Sequence, residues 1–541
     1  MRFLFLAHLI AFGICSAVVG QTYYLTNTPF DNARIQKALT LSDSVPLWIQ
    51  PSVQPFYQGD LRYIQDELPD RLVKEHADLL SPSITPETSL RKHLFRNGVD
   101  LVHVQRKDFN LKVNPVIGFR LWSDNLEGGL QYESVRGGEI KGSIDDKIGF
   151  YLSLTEHLMF LPTYQDDFFR EYGVVPGYGF WKEYETDGYD LFRSRGYLTA
   201  SITKHIQVQA GVDWNKIGEG YRSLILSGFA DEYPFVKIRT RLWRFEYTNI
   251  FAQLVASDNR IPGTPNPKKF MTLHYLTFAA HKNVQFGLFE TVFHARQSGD
   301  TQTFDLAYAN PLIFYRAVEQ DLGDGDNVLL GFDFRATIKK RIRLYSQLLL
   351  DEFRADEIFA GNGWRGNKWA YQLGAWYYDV AGIPWIDAMA EFNTARPYTY
   401  THFDRPEFTN YQHYQQPLAH PLGANFREVI GQVFVNPHPK WQFHGLASYA
   451  TKGLDTDERN FGGDILRDYS EAIQEYGNET GQGLQTDILF AQGTLTYLFK
   501  PLIQLDASLL MRRQDNIQAT QNETVFSIGL RWNYQWKERV F

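Results

Sequence analysis

The chain has 541 residues, 15 % aromatic and 21 % charged, with a formal net charge of -8 and one cysteine. The acidic balance gives no basic footprint for nucleic acid, and a lone cysteine, Cys15, excludes a disulfide framework and thiolate metal sites. No segment after the N-terminus supplies the roughly 18 uncharged apolar residues that a membrane helix needs, so a membrane crossing would be made by strands.

The opening MRFLFLAHLIAFGICSAVVGQ reads as an export signal over residues 1–20, with Val18 and Gly20 at small-residue positions before Gln21. Its removal would take Cys15 with it and exclude a cysteine nucleophile. Residues 21–110 read as an N-terminal helical, periplasmic segment. IQKALTLSD, LRYIQDELPDRLVKEHADLL and TPETSLRKHLF carry helical spacing, with Leu68, Leu72, Leu79 and Leu80 near one face and proline breaks between the pieces.

From residue 111 to 541 the period changes to two. In HIQVQAGVDW, Ile206, Val208, Ala210 and Val212 alternate with Gln207, Gln209, Gly211 and Asp213; in WRFEYTNIF, Trp243, Phe245 and Tyr247 alternate with Arg244, Glu246 and Thr248. WQFHGLASY and IQLDASLLM repeat the pattern, and VFSIGLRWNYQW extends it from Phe526 to Trp536. Apolar outward and polar inward is the signature of strands between lipid and a wet lumen. The class is therefore all-β transmembrane: a closed antiparallel outer-membrane β-barrel in contact with outer-membrane lipid. At about 24 residues per strand with its share of connections, the count is on the order of 18 strands. Phe541 resembles the terminal aromatic that the barrel assembly machinery reads, although Val540, not Phe541, is in phase with the last alternation.

Chemistry-bearing patterns are few. There is no G-x-S-x-G, H-E-x-x-H or Walker loop, so neither an enzyme nor a cofactor is expected. DLGDGDN (Asp321–Asn327) lacks the glycine and glutamate of an EF-hand and reads as a turn at Asp324-Gly325. Asp351 shares the parity of Arg343, Tyr345 and Gln347 and should face the lumen beside a basic wall residue, whereas its neighbour Glu352 points away. In GNGWRGNKWAYQLGAWYYD, Trp376 and Tyr378 alternate as members of an interfacial girdle, while Trp364 and Trp369 read equally as girdle or sugar platform. His402, His413 and His420 are spaced by eleven and seven, which matches no compact metal motif. Pro417 and Pro421 make the run from Pro406 to Pro421 a loop before a strand at FREVIGQVFV.

GVDWNKIGEGYRSLILSGFADEYPFVKI (Gly211–Ile238) resembles the Gly-rich segment, Leu-Ser block and proline of the Wzi family of outer-membrane capsule-assembly barrels. NPLIFYRAVEQDLGDGDNVLLGFDF, QLLLDEF, GNGWRGNKWAYQLG and YQQPLAHPLGANFREVIG are similar to its Bacteroidetes branch, the gliding-motility RemB-like proteins. The resemblance implies a barrel with a periplasmic helical portion and a role with surface polysaccharide or in gliding. The expected activity is therefore polysaccharide binding, with Tyr398, Tyr400, Tyr411, His413, Tyr414, Trp364 and Trp369 as contact residues. A channel and a structural component of a motility or secretion apparatus are the alternatives.

Overall fold

The computed structural model describes residues 29–68 and 99–541, apart from residues 44, 48, 50–51, 65, 67, 146, 257–264, 299–300, 312–325, 353 and 403–408. The export signal, most of the two later helical stretches and the Asp324-Gly325 turn lie outside these residues.

Eighteen antiparallel strands close into a barrel. In chain order they are β1 (Phe109–Asp124), β2 (Gln131–Ile144), β3 (Ile148–Met159), β4 (Gly188–Ser201), β5 (Ile206–Asp213), β6 (Tyr233–Leu242), β7 (Phe245–Val255), β8 (Lys268–His281) and β9 (Val284–His294). The second half comprises β10 (Asn327–Ile338), β11 (Ile342–Glu352), β12 (Lys368–Tyr377), β13 (Ile386–Ala395), β14 (Phe426–His438), β15 (Trp441–Leu454), β16 (Leu484–Lys500), β17 (Ile503–Asn516) and β18 (Thr520–Trp532). Each strand pairs with its chain neighbour, and β18 closes the ring on β1 from Val525↔Asp124 to Trp532↔Ile117. The short strand Val102–Gln105 pairs with Asn110–Val113 of β1, continuing the β18 edge past Trp532. No backbone edge of the sheet therefore faces lipid, which offers it no hydrogen bonds.

Connections at one end are short, as at residues 243–244, 282–283 and 501–502, whereas those at the other run to 160–187, 396–425 and 455–483. Barrels of this class place the long connections outside the cell. On the outer wall Phe119, Leu152, Leu348, Tyr449, Leu505 and Phe526 are exposed, as lipid-facing side chains must be. Over β7–β9 the outer face is instead covered by the chain after β9: Phe304 packs on Phe251, Phe270 and His294, and Thr272 donates to the Tyr308 carbonyl at 3.3 Å.

The inner wall is apolar toward its extracellular end. On β6–β11, Phe235, Ile250, Leu254, Leu273, Phe289, Leu329 and Leu349 face inward and pack on the 214–232 connection, which dips into the lumen with Ile217, Leu224, Ile225 and Leu226 completely buried. On β15–β18 Leu446, Phe490, Leu510 and Val525 belong to the same cluster, while Gln442, Thr494 and Asp506 make the wall polar toward the periplasmic end.

At the periplasmic mouth α1 (Pro29–Leu41), which covers IQKALTL, lies against β11–β14. Asp387 on β13 binds Lys37 Nζ at 2.8 Å and Arg34 at 2.9 Å, and Asp379 binds Lys37 at 2.7 Å. Farther along, Asp60 receives both terminal nitrogens of Arg241 at 2.9 Å. Val53 and Gln54 add a two-residue strand to Lys216 and Ile217, so this segment is stitched to the loop that descends from the opposite end.

Two sequence expectations change here. Trp376 pairs with Met389 on the inward face and Tyr378 follows it in the turn; both are buried beneath α1, where Trp376 stacks on Phe434 at 5.6 Å. Neither belongs to a girdle. Trp369 takes the outward parity, opposite Leu350 at the extracellular rim. Period-two reasoning separates two faces without saying which is wet when both carry aromatics.

The second change concerns the C-terminus. β18 ends at Trp532, and residues 533–541 turn into the lumen. Tyr534 and Trp536 are not lipid-facing, and Phe541 lies far from the strand end, which explains its phase error.

Asp387→Ala removes both bonds to α1, each a charge-assisted contact worth about 1.5–3 kcal/mol. Amide exchange of residues 31–41 is expected to accelerate, with β13 and β14 unchanged.

Candidate functional site

The extracellular mouth is capped by residues 396–402 and 409–425 of the connection after β13, which fold inward rather than standing out as a loop. Tyr400 Oη donates to the Leu224 carbonyl at 2.8 Å, and Tyr411 Oη to that of Ile225. Ser227 N donates to the Leu418 carbonyl at 2.7 Å. Gln416 bridges to a third connection, accepting from Gly177 N at 2.5 Å and donating to the Tyr178 carbonyl at 2.7 Å. Tyr398, Tyr400, Tyr414, Gln415 and Asn425 all have positive φ. Left-handed backbone disfavours side chains with a Cβ and persists where packing over-determines it. At Asn425 the amide supplies that restraint: Nδ2 donates to the carbonyls of Gly453 at 3.0 Å and Gln482 at 2.9 Å, while Oδ1 accepts from Gly481 N at 2.7 Å.

This geometry relocates most of the expected sugar contacts. Tyr398, Tyr400, Tyr411 and His413 are at most 1 % exposed, so their ring faces meet protein rather than solvent. Tyr398 Oη donates to the Asn460 carbonyl at 2.9 Å. Tyr411 packs on Phe293 at 4.8 Å and on Tyr400 at 5.4 Å. Tyr414, Trp364 and Trp369 are partly exposed. Composition marked the aromatic density of this run, but only the inward path of its backbone decides which rings remain free.

The histidines are structural as well. His402 bonds Thr409 at 3.0 Å. His420 Nδ1 accepts from Leu422 N at 3.1 Å, leaving Nε2 to donate to Glu428 at 2.6 Å. His413 Nδ1 accepts from Val255 N at 3.0 Å, and Nε2 faces the Glu232 carbonyl at 3.3 Å, an arrangement that holds the ring neutral. Asp351 faces inward as expected, 3.6 Å from Lys368 Nζ, and accepts from Tyr400 N at 2.7 Å, so this wall carboxylate positions the cap.

Outside the cap, the 353–367 and 455–483 connections zip together. Arg365 N donates to the Glu475 carbonyl at 2.8 Å, Gly477 N to Asn362 at 2.9 Å and Asn478 N to Gly363 at 3.0 Å. A short helix (Ala355–Ala360) opens the first of these connections. Trp364 lies here with Arg354 5.5 Å above its ring, Arg365 stands 5.7 Å over Tyr469, and Tyr476 is 48 % exposed. The patch joins aromatic faces to guanidinium donors and backbone amides on a rigid, solvent-facing ledge. The sequence reading missed Tyr469 and Tyr476; they stand in a long polar insertion whose pairing with GNGWRG is set by tertiary contact. Among the described residues no cluster of His, Cys, Asp and Glu is arranged to hold a metal ion.

Burial holds the pKa of His413 down at about 3, chiefly by desolvation, with Lys269 and Lys537 adding repulsion. A depressed folded pKa means that the unfolded chain binds the proton first, so His413 contributes stability that is full above about pH 6.5 and declines as pH falls from there towards 3. Proteolysis of the 396–425 connection is expected to accelerate on acidification in that window, and less steeply in His413→Gln.

No family model matches the chain, and no curated protein matches it by sequence. Among solved structures it is similar to Wzi, an outer membrane protein involved in group 1 capsule assembly in Escherichia coli and described as a carbohydrate-binding β-barrel. The TM-score is 0.55 at 11 % identity, over 96 % of this chain and 100 % of that one. Pseudomonas aeruginosa OprD aligns with a TM-score of 0.42 at 10 % identity, over 79 % of this chain and 95 % of OprD. OccK7 (OpdD) of the same organism aligns at 0.43 and 7 %, over 79 % of this chain and 99 % of OccK7. The likeness to Wzi is one of fold, and with the lipid-type outer wall it identifies a closed, antiparallel, 18-stranded barrel of the Gram-negative outer membrane.

Proposed function

We propose that the protein is a non-catalytic outer-membrane anchor for surface polysaccharide, binding glycan at the ledge outside its closed cap. The observation that carries this reading is the ledge itself: exposed Tyr476 and half-buried Trp364 stand with Arg354 and Arg365 on two connections joined by backbone hydrogen bonds. Aromatic faces stack on sugar C–H groups while guanidinium and amide donors take hydroxyls or uronate carboxylates. Each contact is weak, and a repeating polymer gains avidity by engaging many of them. Tyr414 and Trp369 are further contact residues in this proposal, whereas Tyr398, Tyr400, Tyr411 and His413 brace the cap beneath. That Wzi is described as carbohydrate-binding supports the same reading by analogy of fold.

The blocks similar to RemB-like proteins favour a second reading, a link to gliding. Deletion of the protein that stops cell spreading while leaving surface glycan unchanged would favour motility over anchoring.

Trp364→Ala and Tyr476→Ala are expected to lower retention of extracted capsular or slime polysaccharide on the purified barrel several-fold, with Tyr400→Phe retaining it. Equal retention by all of these correctly folded variants would sink the anchor.

A further inference from the structure

After Trp532 the chain forms a strap that climbs the inside of the barrel. Asn533 N donates to the Leu502 carbonyl at 2.8 Å, fixing the strap's start at the periplasmic rim. Phe541 lies at the other end, its ring 4.9 Å from Phe168 on α2 (Thr163–Tyr172) and 5.9 Å from Phe229. Nine extended residues reach about 30 Å, the thickness of the hydrocarbon layer.

The strap forms no strand pairing with the wall. Trp536 Nε1 donates to Asp506 at 2.9 Å, and Lys537 Nζ donates to the carbonyls of Gly177 and, at 3.1 Å, Ala230. Arg539 donates to Gln165 at 2.8 Å and lies 3.4 Å from Glu133; Arg512 reaches the Phe541 carbonyl at 3.2 Å. Two glycines make room for it. A Cβ on Gly118 would stand 2.7 Å from the Tyr534 ring, and one on Gly529 3.0 Å from that of Trp536.

Toward the periplasmic end the surface under the strap is hydrophilic. Gln442, His444, Gln492, Thr494, Asp506 and Ser508 line a cavity of about 150 Å³ between strap and wall, and a second cavity of about 350 Å³ lies against Gln535, Trp536, Lys537 and Glu538. The larger one touches Pro501 and Leu502 at the periplasmic rim and Gly228 and Phe229 under the cap. Beyond this polar stretch Trp122, Leu510 and Val525 join Val540 and Phe541 in the apolar cluster that also packs the 214–232 connection, so the strap is held by point contacts along its length and by an apolar seal at its tip.

We propose that this stretch of wall is a latent pathway for small hydrophilic solutes and that the strap is its gate: the passage beside α1 is closed while residues 533–541 fill it and opens when they leave. The pathway follows β15–β18 and β1, and its extracellular end is stoppered by Phe541 between α2 and the 214–232 connection. This goes beyond glycan anchoring, which uses the outer ledge and needs no passage.

The test uses the full chain in planar bilayers, with barrel closure verified by heat-modifiable migration. Wild type is expected to be silent, and Arg539→Ala combined with Phe541→Ala to give steady conductance. Ser508→Cys, on a Cys15→Ser background, reports access to the wall: a water-soluble thiol reagent should label it roughly tenfold faster in the strap variant, the change expected when a charge-assisted hydrogen bond holding the closed state is lost. If the double variant does not close, Lys537→Met, which deletes the bonds to Gly177 and Ala230 but keeps the stem, serves in its place. Silence of the folded variants overturns the gate, whatever the labelling rate, as does a wild-type barrel that conducts as they do. Polysaccharide retention by the same variants keeps the two readings apart.

Discussion

The pairing of β18 with β1 is the constraint on which the rest depends. In hydrocarbon an unpaired strand edge leaves its backbone groups without partners, so the sheet must close, and closure brings the first and last strands together from Val525↔Asp124 to Trp532↔Ile117. Everything inside is then confined to a lumen of set width, and each segment not in the wall must either enter it or leave the membrane. The N-terminal segment enters from the periplasmic end, the 214–232 and 396–425 connections enter from the other, and the strap runs between them.

That confinement explains why so many polar groups are buried yet partnered. The Asp351 carboxylate bonded to Tyr400 N, the Glu428–His420 pair and the Asn425 amide tie inserted segments to the wall or to one another. Buried charges and amides cost desolvation unless their bonds are made, so each pair specifies one placement of its segment. The apolar extracellular part of the inner wall holds both the 214–232 connection and the tip of the strap by area, whereas nearer the periplasm the strap is held by single contacts such as Trp536 with Asp506.

The barrel was largely legible in the residues because its signal is local. Alternation in HIQVQAGVDW or IQLDASLLM depends only on neighbours two positions apart, and lipid outside against water inside repeats that pattern around the ring; the strand number follows from length. The candidate site was legible in part. TNYQHYQQPLAHPLGANF reads as a proline-braced loop, and it is one, but its rings turn inward because Tyr400, Tyr411 and Ser227 find partners across the mouth. Tyr476 gave no signal because its platform exists only where two connections 100 residues apart meet. Trp376 and Tyr378 read as girdle residues for a related reason: an aromatic is equally at home in a lipid girdle and under a plug helix, and register alone separates them.

By itself the amino-acid order determined an acidic, aromatic-rich chain with a long run of period-two strands, since composition and short-range periodicity respond to solvent and secondary structure. Tertiary structure decided which faces are wet, which tyrosines are buried, that the mouth is capped and that the chain after Trp532 returns through the lumen. Those outcomes rest on contacts between residues hundreds of positions apart, such as Lys537 with Gly177 or Lys37 with Asp387. Only the closed ring brings such partners within reach.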